Sequence, residues 1–172
     1  MNLRRLLDHL YNAAGYGAAL FMIGVLAMVL ASVIGRLAGF NLRGSDSYAG
    51  YCMAAASFLA LAHTLKRGEH IRVMLFLERF GGRLRRPLEL WSHAAGTFFC
   101  AVLAWYSVRL VWQSHAYNDI SQGNDATPLW IPQLGMALGC IVLLVAMADD
   151  FILLLRRRAI GTGAPDELKA IE

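Results

Sequence analysis

"AAGYGAALFMIGVLAMVLASVIGRL", residues 13–37, decides the class of fold, because between His9 and Arg36 the chain carries no charged residue. Crossing a hydrocarbon layer of about 30 Å takes roughly 20 apolar residues at about 1.5 Å of helical rise each. Arg4 and Arg5 precede the run, and Ala27, Ala31 and Ser32 stand near its end, as in a secretory signal. The apolar region of such a signal extends for only about 7–15 residues, so the run is read as a helix that is retained.

Working outward, the same gap in charge recurs between Asp46 and Lys66, between Glu89 and Arg109, and between Asp125 and Asp149. The 172-residue chain is 58% hydrophobic and 16% charged, with a mean hydropathy of +0.48. Soluble domains carry about 25% charged residues. Backbone groups inside lipid must be bonded within their own segment, and no run alternates as a barrel strand does, so the spans are read as helices. The expectation is an all-α integral membrane protein, a single membrane domain over residues 1–172, with spans near 13–37, 48–65, 88–111 and 129–155.

Basic residues set the expected orientation. The N-terminal tail, the 66–90 segment and the C-terminal tail together hold 13 of the 16 Lys and Arg residues. Arg36, Arg43 and Arg109 are left for the other side, which by the positive-inside rule puts both termini in the cytoplasm. Aromatic residues favour the headgroup levels, and here Tyr11 and Trp91 are expected at inner ends, with Tyr48, Tyr51, Trp105, Tyr106, Trp112 and Trp130 toward outer ends. In the outer loop, Asp125 or Thr127 is expected to cap the fourth helix, and Pro128 and Pro132 suit its first turns. The small, polar and charged tail at 159–172 is expected to be mobile.

"KRGEHIRVMLFLERFGGRLRRPLEL", residues 66–90, combines a dense basic set with seven large hydrophobes between Ile71 and Gly81. At helical pitch Val73, Phe76, Leu77, Phe80, Leu84 and Leu88 share an arc of about 120°, flanked by Arg72, Arg79, Arg83 and Arg86. This is the pattern of an amphipathic helix lying on the cytoplasmic surface, with apolar side chains in the acyl boundary and arginines among anionic headgroups. Gly81 and Gly82 each cost about 1 kcal/mol in a helix interior. The surface helix is therefore expected over 69–80, with a new helix from Arg83 that holds Pro87 in its first turn.

Several kinds of chemistry are not supported. The sequence shows no phosphate-binding glycine loop, no nucleophilic triad and no Cys/His metal motif, so neither an enzyme nor a resident cofactor or metal is expected. Cys52, Cys100 and Cys140 each fall within a span without C-x-x-C spacing, and read as small buried residues. The net charge of +4 is explained by topology, and no nucleic-acid partner is expected. His63 and His93 fall near inner ends of spans, where they are either neutral interfacial side chains or axial ligands of a haem in a membrane redox anchor. Asp149 and Asp150 are expected to pair with Arg156–Arg158 or with Lys66 and Arg67, and Arg36 and Arg109 to snorkel or to pair with Asp46, Asp119 or Asp125. Gly135 and Gly139 form G-x-x-x-G, and Ala27, Ala31 and Gly35 a similar row; such residues are expected to close a four-helix bundle or meet a partner.

The order of these features resembles a known family over about residues 10–155. Its marks are Gly35-Arg36 closing the first span, Arg43 and Ser45-Asp46 before the second, Arg67-Gly68-Glu69-His70-Ile71-Arg72-Val73 after it, and Pro128-Leu129-Trp130-Ile131-Pro132 opening the fourth. The chain resembles the DctQ-type small membrane subunit of tripartite ATP-independent periplasmic (TRAP) transporters. It departs from that family's pattern at Ser47 and Met74, where members commonly carry an acid, so no salt bridge is assigned there. The resemblance implies a noncatalytic subunit of the bacterial inner membrane, partnered by a large multi-helix subunit, a periplasmic substrate-binding protein and membrane lipids. Sodium and the organic acid are then expected on the large subunit. The residues expected at partner or lipid interfaces are Arg36, Arg43, Asp46 and Trp130 on the outer face, with His70, Arg72, Arg79, Arg83, Arg85 and Arg86 on the inner one.

Overall fold

A computed structural model describes residues 2–40, 42–66, 82–123 and 125–155; the side chains of residues 2, 3, 82–86 and 89 are outside the description. Among the described residues there are four helices and no strand longer than a single bridge: α1 (Asn2–Leu37), α2 (Ser45–Lys66), α3 (Gly82–Ala116) and α4 (Trp130–Leu155). All four are long and apolar enough to cross a membrane. The expected surface helix over 69–80, with His70, Arg72 and Arg79, and the tail at 159–172 lie outside the described residues.

The apolar runs set the cores of the helices, but polar turns extend them. α1 begins at Asn2 rather than near Ala13, because the Arg4–Tyr11 stretch lacks a helix breaker. α3 runs on to Ala116, beyond the expected end at 111. Pro87 sits inside α3 rather than in its first turn, so the Arg83 carbonyl lacks its usual intrahelical donor. α1 stops at a glycine cap: Gly39 adopts φ +79°, its N–H donates to Arg36 O at 3.3 Å, and Phe40 N–H donates to Gly35 O at 3.0 Å.

Laterally the helices form a row in the order α1, α2, α4, α3. α1 packs on α2, α2 on α4 and α4 on α3, while α1 touches α4 only slightly; among the described residues α3 meets neither α1 nor α2. The expected closed bundle is therefore replaced by an open, curved layer. The reason lies in the seams. A Cβ on Gly135 would come within 2.8 Å of Ala55 Cβ, and one on Gly139 within 2.5 Å of the Phe58 backbone, so the G-x-x-x-G row serves the α2–α4 contact. α3 turns Ala104, Ser107 and Ser114 inward, and Ser107 Oγ lies 3.4 Å from Cys140 Sγ of α4. Small residues let these backbones approach, whereas Ala27 of α1 remains exposed.

The connections define two ends. One, here called the loop end, carries the α1–α2 turn and the α3–α4 loop. The other, the terminal end, carries the starts of α1 and α3 and the last turns of α2 and α4. At the terminal end Tyr11, Ala62 and Ala146 form a buried junction of α1, α2 and α4, covered by Leu7, Leu65, Val142 and Leu143.

Candidate functional site

At the loop end, the glycine cap of α1 and the start of α2 leave an open cleft of about 460 Å³. Arg36, Arg43 and Asp46 all line it, together with Ser32, Phe40 and Leu42. The structure thus brings together three of the four residues expected on the outer face. Arg36 Nη2 lies 3.8 Å from Asp46 Oδ2, with both side chains largely exposed, a loose pair of the kind that contributes little to stability. The turn beneath is tighter, since Ser45 Oγ donates to Leu42 O at 3.1 Å. Two guanidinium groups and one carboxylate give the cleft an excess of positive charge.

The α3–α4 loop is fastened beside this cleft. Its strands meet at the Ile120–Pro128 bridge, with Ser121 N–H donating to Thr127 O at 2.9 Å. Tyr51 of α2 donates to Asp125 Oδ2 at 3.0 Å, Ser121 Oγ donates to Asp125 Oδ1 at 2.9 Å, and the two hydroxyl oxygens lie 2.9 Å apart. Thr127 Oγ1 and Tyr48 Oη lie 3.0 Å apart, within hydrogen-bond distance. Partial desolvation pushes the Asp125 carboxyl upward, but hydrogen bonds from Ser121, Thr127, Tyr51 and its own N–H prevail and hold it down at about 2.

Asp125 and Thr127 therefore tie the loop to α2 and do not cap α4. Tyr48 and Tyr51, expected as belt residues, are its anchors. Turn-forming residues near Asp125 signalled the loop, but nothing in the spacing paired position 51 with position 125. Trp130 is half-buried at the start of α4, with its ring edge-on to His115 of α3 at 5.5 Å. It braces the α3–α4 hairpin apart from the arginine cleft.

The terminal end holds a second polar cluster. Lys66 Nζ donates to Asp149 Oδ2 at 2.6 Å and to Asp150 Oδ1 at 2.7 Å, joining the last turn of α2 to α4. The same ammonium lies 5.1 Å from the centre of the Tyr11 ring. Tyr11 is 3% exposed, and its hydroxyl is buried without a hydrogen-bond partner. The ring is thus a junction residue and not the interfacial anchor expected from its position. The pairing of the two aspartates with Lys66 agrees with one of the two expectations for them. Arg83, Arg85 and Arg86 have their backbone in α3, and their side chains are outside the description.

His63 and His93 are not arranged as a ligand pair. The His63 ring packs on α1, where its Nδ1 lies 3.3 Å from Tyr11 O and a Cβ on Gly15 would come within 2.8 Å of it. That ring is turned toward α1, whereas His93 belongs to α3, which among the described residues packs on α4 alone. Among the described residues no group of three or more His, Cys, Asp or Glu side chains is placed to hold a metal ion.

No curated protein sequence matches the chain. Residues 25–157, from within α1 to just past α4, match the family described as tripartite ATP-independent periplasmic transporters, DctQ component. Four helices able to cross a membrane and a family match over most of the sequence make this a multi-pass membrane protein, and the chain belongs to the DctQ family of TRAP transporter components.

Proposed function

We propose that this chain is the small, noncatalytic membrane subunit of a sodium-coupled TRAP transporter that imports organic acids across the bacterial inner membrane. It packs on the large transport subunit, widens its fixed part and helps the periplasmic substrate-binding protein to dock. The loop end then faces the periplasm and both termini the cytoplasm, a reading supported by the excess of basic residues on the terminal side. His70, Arg72, Arg79, Arg83, Arg85 and Arg86 are assigned to the inner lipid surface, and sodium to the large subunit.

The observation that carries this reading is the division of charge. Among the described residues no Asp, Glu or Lys stands at mid-span, where a coupling ion would be held. Among the described residues of the helices, Asp8, Asp46, Lys66, Asp149 and Asp150 stand near helix ends. At the loop end, the Arg36, Arg43 and Asp46 cleft lies beside a fastened loop, a platform suited to a soluble partner. The turning of His63 toward α1 removes support from the haem reading.

The test is reconstitution of this chain, the large subunit and the binding protein in proteoliposomes. Uptake driven by a sodium gradient is expected only with all three. The double variant Arg36→Gln, Arg43→Gln is expected to raise the binding-protein concentration for half-maximal uptake about tenfold, with the maximal rate retained and the salt dependence weakened. Undiminished uptake without this chain would overturn the reading.

A further inference from the structure

The two edges of the helix row differ in chemistry. α1 exposes aliphatic side chains along its middle, among them Leu20, Ile23, Leu26, Leu30 and Ile34. α3 exposes Trp91, Phe98, Trp105 and Trp112, at steps of seven residues and with exposures of 72%, 64%, 71% and 76%. Phe99 and Tyr106 widen this stripe. At 100° per residue its centre lies about 180° from the Ala104, Ser107 and Ser114 side that meets α4. A seven-residue repeat is the spacing at which two helices stay in register along a left-handed crossing.

Lipid accounts for only part of the stripe. Trp91 and Trp112 lie near opposite ends of the apolar stretch Leu90–Ala116, where indoles favour headgroups. Trp105 lies about 3 Å from the middle of that stretch. Among the described residues its indole N–H has no hydrogen-bond partner, and leaving such a donor in hydrocarbon is costly. One turn further, about 9 Å from the middle, Arg109 lies on the same exposed face with no carboxylate partner among the described residues. Trp112, at the headgroup level, stands only about 4.5 Å further along the axis, so lipid phosphates and a carboxylate on a neighbouring helix are the two anions within reach of its guanidinium.

We infer that the Trp91–Phe98–Trp105–Trp112 face of α3, with Arg109, is the surface on which a transmembrane helix of the large subunit packs. The inference rests on the proposed pairing with that subunit. The six aromatic side chains offer an area on the order of 800 Å² on one side, which is what each partner contributes to a specific interface. Charge decides against a second copy of this chain. A parallel α3–α3 pair would oppose Arg109 to Arg109 in a medium that screens poorly. The partner helix therefore presents an acidic side chain at the level of Arg109 and a hydrogen-bond acceptor, such as a Ser or Thr hydroxyl, about one turn deeper for the Trp105 indole.

The experiment places a photoreactive benzoylphenylalanine at position 105 or at position 23 in the full chain, coexpressed with the large subunit in membranes. The position 105 probe is expected to crosslink to the large subunit, and the position 23 probe to lipid. In parallel, Trp105→Ala and Arg109→Ala are expected to reduce recovery of the large subunit on the tagged chain at least about tenfold, and Ile23→Ala to leave it unchanged. Crosslinking at 105 to lipid alone or to a second copy, with the large subunit still recovered, overturns the inference and leaves the proposed function standing. Failure of the wild-type chain to recover the large subunit overturns both. Crosslinking does not depend on truncation, so it decides the matter even where an alanine variant fails to fold.

Discussion

Asp125 shows how one carboxylate can order a whole end of the molecule. It accepts from Tyr51 and Ser121, and through them joins the α3–α4 loop to α2 across more than 70 positions of sequence. Its carboxyl is held down at about 2, below the ordinary value of 3.8. A depressed acid stabilises the folded form fully above its unfolded pKa, and that contribution disappears as pH falls through the folded pKa. The loop is therefore expected to hold from neutral pH to about 4 and to loosen between about 4 and 2. Limited proteolysis of the loop across that range checks this. Asp125→Asn is expected to be loose at neutral pH and to lose the acid transition, since the amide cannot titrate and accepts through one oxygen only. An unchanged acid transition in the variant would assign it to another group.

At the scale of elements, the spans were legible because each is a gap in charge, and physics leaves few alternatives to a helix in such a gap. The neighbours of each helix were not. Lipid tails are as apolar as leucine, so hydrophobicity does not say which face meets protein, and small residues mark a seam without naming its partner. Gly135 and Gly139 were visible as a packing row, but their fit to Ala55 and Phe58 required coordinates. Tyr11 misled for a related reason: a tyrosine near a helix end looks the same at a headgroup and in a three-helix junction. Lys66 with Asp149 and Asp150 was partly legible, because opposite charges near the ends of two spans on one side have few other partners. That bridge fixes the register of α2 against α4. Lys66→Met would leave two half-buried carboxylates facing each other, an expected loss of up to about 3 kcal/mol in detergent unfolding. Asp149→Asn keeps the Lys66–Asp150 pair and is expected to cost less. Equal losses for the two variants would show that Asp150 alone does not hold the lysine.

At the scale of the whole molecule, an open row solves a problem that a closed bundle does not. A bundle buries its best packing surfaces within itself, whereas a row keeps two edges and two broad faces for other proteins, a form suited to a component of a larger assembly. The row also keeps the aliphatic edge of α1 far from the aromatic edge of α3. Packed helices stand about 8–10 Å apart, so three successive contacts place the axes of α1 and α3 about 20–25 Å apart, allowing for the slight α1–α4 contact that bends the row. In a closed bundle with the same cyclic order, α1 and α3 would be direct neighbours at about 10 Å. Spin labels at positions 23 and 103, in a chain whose three cysteines are replaced by alanine, distinguish these arrangements. The pulsed dipolar distance in lipid nanodiscs is expected to be at least about 20 Å, and to stay there when the large subunit is added, because an edge contact on α3 leaves the order of the row intact. A shift to the shorter distance in the isolated chain would mean that the row closes on itself without a partner, and the exposed face of α3 would then be covered from within.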